Sequence, residues 1–188
     1  MQLPKDYLQL YGRLQVRIYD VKSGRKDLKL RFTKMNQIVN GGRDMVLEML
    51  AQIAGDPGPQ GNPFWNNVWS LSAGEDPTPA MVTQTQLGSP VWTGQLTPAT
   101  ERAYNPALYE LNVLKEFPAG TGTGAVLTEA GIFVRGQFDD PTAAGVATWE
   151  AIPGRRMYAR QTHPAVTKGA TMAIVYDWHL GMTVQSSP

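Results

Sequence analysis

Two stretches near opposite ends of the chain alternate along their length, and they constrain the fold more than any other feature. In the first, Leu10, Gly12, Leu14, Val16 and Ile18 fall on one side, with Tyr11, Arg13, Gln15, Arg17 and Tyr19 on the other. In the second, Met172, Ile174, Tyr176, Trp178 and Leu180 recur at every other position. A strand turns successive side chains to opposite faces, so a period of two predicts half-buried strands. Their apolar sides must then meet a second layer.

The rest of the chain extends this pattern. Asp20 to Gly24 supplies turn chemistry, and Asp27 to Thr33 reads as the return strand of a hairpin. The aromatic and Arg residues on the polar side of the first strand read as solvated cross-strand pairs. Asn40 is a suitable N-cap for a helix carrying Val46, Met49, Leu50 and Ile53, stopped by Gly55 and Pro57. A Gly/Pro/Asn loop then reaches Asn67, and Val68 to Ser72 forms a short strand. Thr78 and Pro79 open a predicted short helix to Leu87. From Leu108 to Phe117 the pattern alternates again, with Tyr109, Leu111, Val113 and Phe117 on one face. Gly120 to Gly124 reads as a hairpin turn, and residues 136–155 as a second long loop. The expectation is seven or eight short strands with one or two short helices, as in a β-sandwich or jelly-roll-like single domain. Its expected limits are residues 10–182, with an extended N-terminal arm over 1–9 and a loose tail over 183–188.

Composition agrees with many short elements joined by turns, since 188 residues include 19 Gly and 14 Pro. Seventeen basic residues face 16 acidic ones without long blocks of one sign, so no nucleic-acid footprint is expected. The absence of Cys removes disulfide scaffolds, thiolate nucleophiles and Cys-based metal sites. The N-terminus has no apolar core of the signal-peptide kind, and no apolar run approaches the roughly 18 residues of a membrane span. The expectation is a protein made in the cytosol that engages no membrane.

Candidate chemistry is sparse. The Gly120–Gly124 run lacks the following helix and Lys of a phosphate loop. The acidic pairs Glu75-Asp76 and Asp139-Asp140 both precede Pro, where Asp-Pro is ordinary turn chemistry. His163 and His179 stand outside any zinc-binding spacing. His179, opposite Trp178, is expected to be exposed or at an interface, and His163 to lie in a turn or edge strand. No Ser occupies a Gly-x-Ser-x-Gly elbow. No catalytic residue, cofactor or metal ligand is assigned, and the chain is expected not to be an enzyme.

Two groups carry weight. Glu129 heads an otherwise apolar strand, so burial would require a cationic partner, for which Arg135, Arg156 and Arg160 are the candidates. Such a bridge would either stabilise the sheet or fix a sandwich edge used for subunit contact. Phe64, Trp65, Trp69, Trp92 and Trp149 lie in or beside Pro/Gly-rich loops, where interface use competes with core packing. Leu3 and Tyr7 of the N-terminal arm join them as interface candidates.

The order of motifs carries a resemblance. Glu129-Ala130-Gly131-Ile132-Phe133 is followed by Arg156-Met157-Tyr158-Ala159-Arg160 with His163-Pro164, then Lys168, then the closing strand with Trp178. Upstream stand Gly12 to Asp20, then Asn36, Val39, Asn40, Gly42 and Arg43, and then Leu71 to Pro79 with Leu87-Gly88. This order resembles small β-rich virion structural proteins of tailed bacteriophages, which serve as capsid decoration, collar, fibre-attachment or baseplate components. Ser89-Pro90 departs from the family's spelling, and the loops 55–67 and 136–155 are longer than its usual connections. The resemblance implies a non-enzymatic virion protein made in host cytoplasm, foremost a capsid decoration (cement) protein acting as a trimer. Its implied partners are the major capsid protein or tail subunits. A tail-side component is the alternative, and a carbohydrate-binding module is a further one.

Overall fold

The computed structural model describes residues 7–35, 37–38, 68–134 and 156–185, although not the side chains at 7–9, 37, 68–69, 98–99, 134, 156 and 183–185. The described residues form two antiparallel five-stranded sheets packed face to face as a β-sandwich. The first sheet has the order β2 (Arg25–Met35), β1 (Tyr7–Lys22), β10 (Met172–Gln185), β7 (Glu110–Phe117), β6 (Arg102–Asn105). The second has the order β3 (Gln37–Ile38), β9 (Arg156–Thr167), β8 (Val126–Val134), β4 (Val68–Gly74), β5 (Pro90–Gln95). Each sheet ends in two edge strands, so there is no closed barrel.

The two alternating segments are direct neighbours. β1 pairs antiparallel with β10 from Tyr7↔Gln185 to Asp20↔Met172, which aligns Leu14 with Trp178, Val16 with Tyr176 and Ile18 with Ile174. All six side chains are buried in one core with Leu71, Val113, Phe117, Leu127 and Ile132. The pairing begins at Tyr7 and ends at Gln185, so strand structure runs three residues past each expected boundary of the domain. On the outer face the Tyr11 ring covers Gly181, where an added Cβ would lie 2.4 Å from the ring.

Several local expectations differ from what the sandwich imposes. The β1–β2 hairpin turns through Ser23 (φ 52°) and Gly24 (φ 78°), the paired positive φ values that suit a twisted two-residue loop. Residues 79–87 form turns instead of a helix. The Thr78 carbonyl, which would accept the first helical N–H, accepts from Arg160 Nη1, and the Met81 amide donates to the Gln84 side chain. Tyr109 lies in the turn before β7, at φ 50° and exposed, and so does not share the buried face of Val113 and Phe117. Among the described residues ten strands form, against about seven or eight expected: β3, β5 and β6 are short and carry too few residues to show a period. The helix expected over 40–53 lies outside the described residues. The described helix is the single turn α1 (Pro98–Glu101).

The glycine run 120–124 is not a hairpin turn, because β7 and β8 belong to different sheets. It carries the chain across the end of the sandwich, with Gly120, Gly122 and Gly124 all at positive φ. Lys168 holds this crossing. Its buried ammonium donates to the carbonyls of Pro118 and Met172 and lies 5.0 Å above the Phe117 ring. Burial lowers its pKa, against the pull of Glu116.

Candidate functional site

The densest polar arrangement lies on the face of the second sheet that points away from the core. β8 presents Glu129, Gly131 and Phe133 there, and β9 presents Met157 and Arg160. The connection between β4 and β5, residues 75–89, folds back over this face as a strap. Leu87 packs with Phe133 and Met157 in a small separate apolar cluster. Gly131 leaves room for it, since a Cβ there would lie 2.9 Å from the Leu87 side chain.

Beneath the strap, Glu129 and Arg160 are both fully buried and joined at 2.7 Å. The Glu129 carboxylate also accepts the backbone amides of Asp76, Gly88 and Ser89 at 3.3, 3.3 and 2.9 Å. Arg160 directs Nη1 to the Thr78 carbonyl and Gln84 Oε1, and Nη2 to the Asp76 carbonyl and Oδ2. With Nε on Glu129, all five guanidinium N–H groups are placed. Burying two charges is costly unless their remaining donors and acceptors are satisfied. Here both sets are consumed within the chain, so the cluster fastens the strap and holds out no group to a ligand. Asp76, whose Oδ1 accepts the Thr78 amide, is held below the usual carboxylate range by its hydrogen bonds from Thr78, with a contribution from Arg160.

Arg160 is therefore the partner that Glu129 required. Arg135 and the side chain of Arg156 lie outside the described residues. The bridge does not fix a sandwich edge: β8 and β9 are inner strands, each flanked on both sides.

A second polar chain crosses the outer face of the first sheet. Tyr11 donates to Glu110 at 3.1 Å, and Glu110 meets His179 Nδ1 at 2.7 Å. His179 Nε2 lies 3.3 Å from Asp177, and Asp177 accepts from Arg17 at 3.0 Å. Burial raises the Glu110 pKa, but hydrogen bonds from His179 and Tyr11 outweigh it and hold the carboxylate low. His179, expected to be exposed or at an interface, is instead partly buried between two carboxylates. Alternation placed Asp177 and His179 on one face. Glu110 and Arg17 arrive only through strand pairing. No group of three or more His, Asp or Glu side chains suited to a metal ion occurs among the described residues.

His163, expected in a turn or edge strand, instead lies on β9, an inner strand of the second sheet, and its ring is buried. It packs between Phe32 and Tyr176 at centroid distances of 5.4 and 5.9 Å. Burial lowers its pKa, and the hydrogen bond with the Pro164 carbonyl opposes that shift.

Among the aromatic interface candidates, Trp92 stacks on Phe117 at 4.5 Å and 10° and packs against the core. That contact explains its burial without a partner. Leu3, Phe64, Trp65 and Trp149 lie outside the described residues, as do the side chains of Tyr7 and Trp69, whose backbones belong to β1 and β4. Exposed apolar groups occur elsewhere, outside the set of interface candidates. Tyr104, Leu108 and Tyr109 are 63%, 58% and 65% exposed around the β6–β7 turn, and β2 exposes Leu28, Leu30 and Met35. The Asn105-Pro106 dipeptide signalled that turn. Comparison with protein-family models, curated proteins and solved structures finds no match.

Proposed function

We propose that this chain is a structural subunit of a tailed-phage virion, foremost a capsid decoration (cement) protein that binds the assembled shell as a trimer. The observation that carries the reading is the β6–β7 turn, where Tyr104, Leu108 and Tyr109 stand exposed on a paired two-strand support. Tyr is enriched among residues that dominate binding energy, and loops on a rigid scaffold are where such anchors sit. Tyr109 adopts φ 50°, a conformation that costs a non-Gly residue free energy and that is often kept where the side chain has a role. The two large polar clusters support the same reading, because their charged groups are paired within the chain. The order of sequence motifs supplies the virion context.

The test is labelling of intact particles with antibody to the purified chain, followed by a cryo-EM map. Density at symmetric positions on the shell, in groups of three, is the expected result. Label at the collar or baseplate would move the protein to the tail side. Particles without label would overturn the virion reading. A carbohydrate-binding module draws on the same two exposed tyrosines, whose ring faces suit a sugar. Saturable glycan binding, lost in Tyr104→Ala, would favour it.

A further inference from the structure

β2 is an edge of the first sheet, and its side away from β1 has no paired strand among the described residues. Its 11 residues hold Arg25, Lys26, Lys29, Arg31 and Lys34 against the one carboxylate of Asp27. Between these cations Leu28 and Leu30 are 53% and 50% exposed. Part of the charge is committed: Lys26 pairs with Glu116, and Arg25 lies 3.6 Å from Asp27. Arg31 and Lys34 make no ion pair among the described residues, and Lys29 helps to hold the Asp20 carboxylate low without a close ion pair. Arg31 also stands directly opposite Arg17 in the β1–β2 register. Like charges opposite one another destabilise a sheet. Asp177 offsets Arg17, whereas nothing comparable offsets Arg31.

We propose that β2 receives an extended acidic segment of a partner protein as an added strand. The proposal rests on the assembly reading above and names the chemistry of one of its contacts. The open row of backbone N–H and C=O groups supplies pairing, and alternate side chains supply selectivity. On the outer face of the sheet a carboxylate of the incoming strand meets Arg31 and an apolar residue covers Leu28; on the opposite face a carboxylate meets Lys34 and an apolar residue covers Leu30, so the segment carries acidic and apolar residues on both its faces. A second copy of this chain fits poorly, since two β2 edges would oppose their cations. Nucleic acid would use the charge but neither the backbone row nor the leucines. Phe32, the aromatic residue of β2, is half-buried against His163 and offers no free face for a base.

The probe is a synthetic peptide as long as β2 built of alternating Glu-Glu and Val-Val pairs, which places carboxylates on both its faces, titrated into the isotope-labelled full chain and followed by heteronuclear NMR. Shifts concentrated in β2 amides are expected. Affinity should fall roughly tenfold or more when Lys29, Arg31 and Lys34 are all changed to Glu, with the fold retained in the far-UV CD spectrum. A peptide N-methylated at alternate residues should lose binding. The proposal is overturned if the N-methylated peptide binds equally well, which would mean charge without strand addition. It is likewise overturned if a thymidine oligonucleotide displaces the peptide, if β2-mediated dimers form instead, or if β2 does not shift at millimolar peptide. The particle assay separates the two readings. A triple variant that enters particles like the wild type sinks the β2 contact alone, whereas wild type missing from particles sinks the assembly reading.

Discussion

Arg160 Nε lies 2.7 Å from Glu129 Oε2 with both side chains fully buried, one strand apart in the middle of a sheet. Removing one partner leaves an uncompensated buried charge, so Glu129→Leu or Arg160→Met should each cost about 3–5 kcal/mol. The double variant Glu129→Leu/Arg160→Met should cost clearly less than the sum, because it leaves no lone charge. Urea unfolding of the four proteins checks this. Additive losses would show that the strap does not depend on the pair.

Trp92 tests whether an aromatic side chain beside a loop serves folding. Its stack on Phe117 predicts that Trp92→Ala costs about 2–3 kcal/mol, somewhat less than a fully buried Trp would. Trp92→Phe keeps a stacked ring and should cost under about 1.5 kcal/mol. Neither should specifically impair particle binding. Unchanged stability in Trp92→Ala, with lost binding, would return Trp92 to the interface.

Acid sensitivity should begin with His163. Burial lowers its folded pKa below the ordinary value of about 6.5, so the unfolded chain takes up a proton first as pH falls. The stability this group contributes is complete above that value and is lost as pH falls through the folded pKa. The depressed carboxylates Asp76 and Glu110 add losses of the same sign at lower pH, as it falls from the ordinary carboxylate range through their folded values. His163→Gln cannot titrate, so its stability should fall less steeply as pH drops below about 6.5. An identical slope in the two proteins would remove His163 as the cause.

Tyr109 should show stability and function in opposition. Its side chain is exposed and its φ is positive, so Tyr109→Gly relieves backbone strain that slightly exceeds the added freedom of the unfolded chain. A gain of about 0.5 kcal/mol is expected, together with weaker incorporation into particles. A variant that is stabilised and still incorporates fully would remove Tyr109 from the contact.

Periodicity alone settled which side of β1 and of β10 is buried, because a period of two is a local property of the chain. Leu14, Val16 and Ile18, like Ile174, Tyr176 and Trp178, could be assigned to the core one residue at a time. The sequence also determined that a buried Glu129 needs a cation. Which Arg answers, and what covers the pair, depended on tertiary structure: Arg160 reaches Asp76 across 84 positions and Gln84 across 76. The same distance hid the chain from Tyr11 through Glu110 and His179 to Arg17, whose members lie on three strands. Local propensity also misled where a distant group intervened. Thr78-Pro79 is a sound helix start until Arg160 takes the Thr78 carbonyl, and a glycine run between strands reads as a hairpin until its strands join different sheets. Periodicity reports one segment against an averaged surrounding. Strand order, ion-pair partners and exposed edges are set by which segments meet, and that was decided only when the two sheets packed.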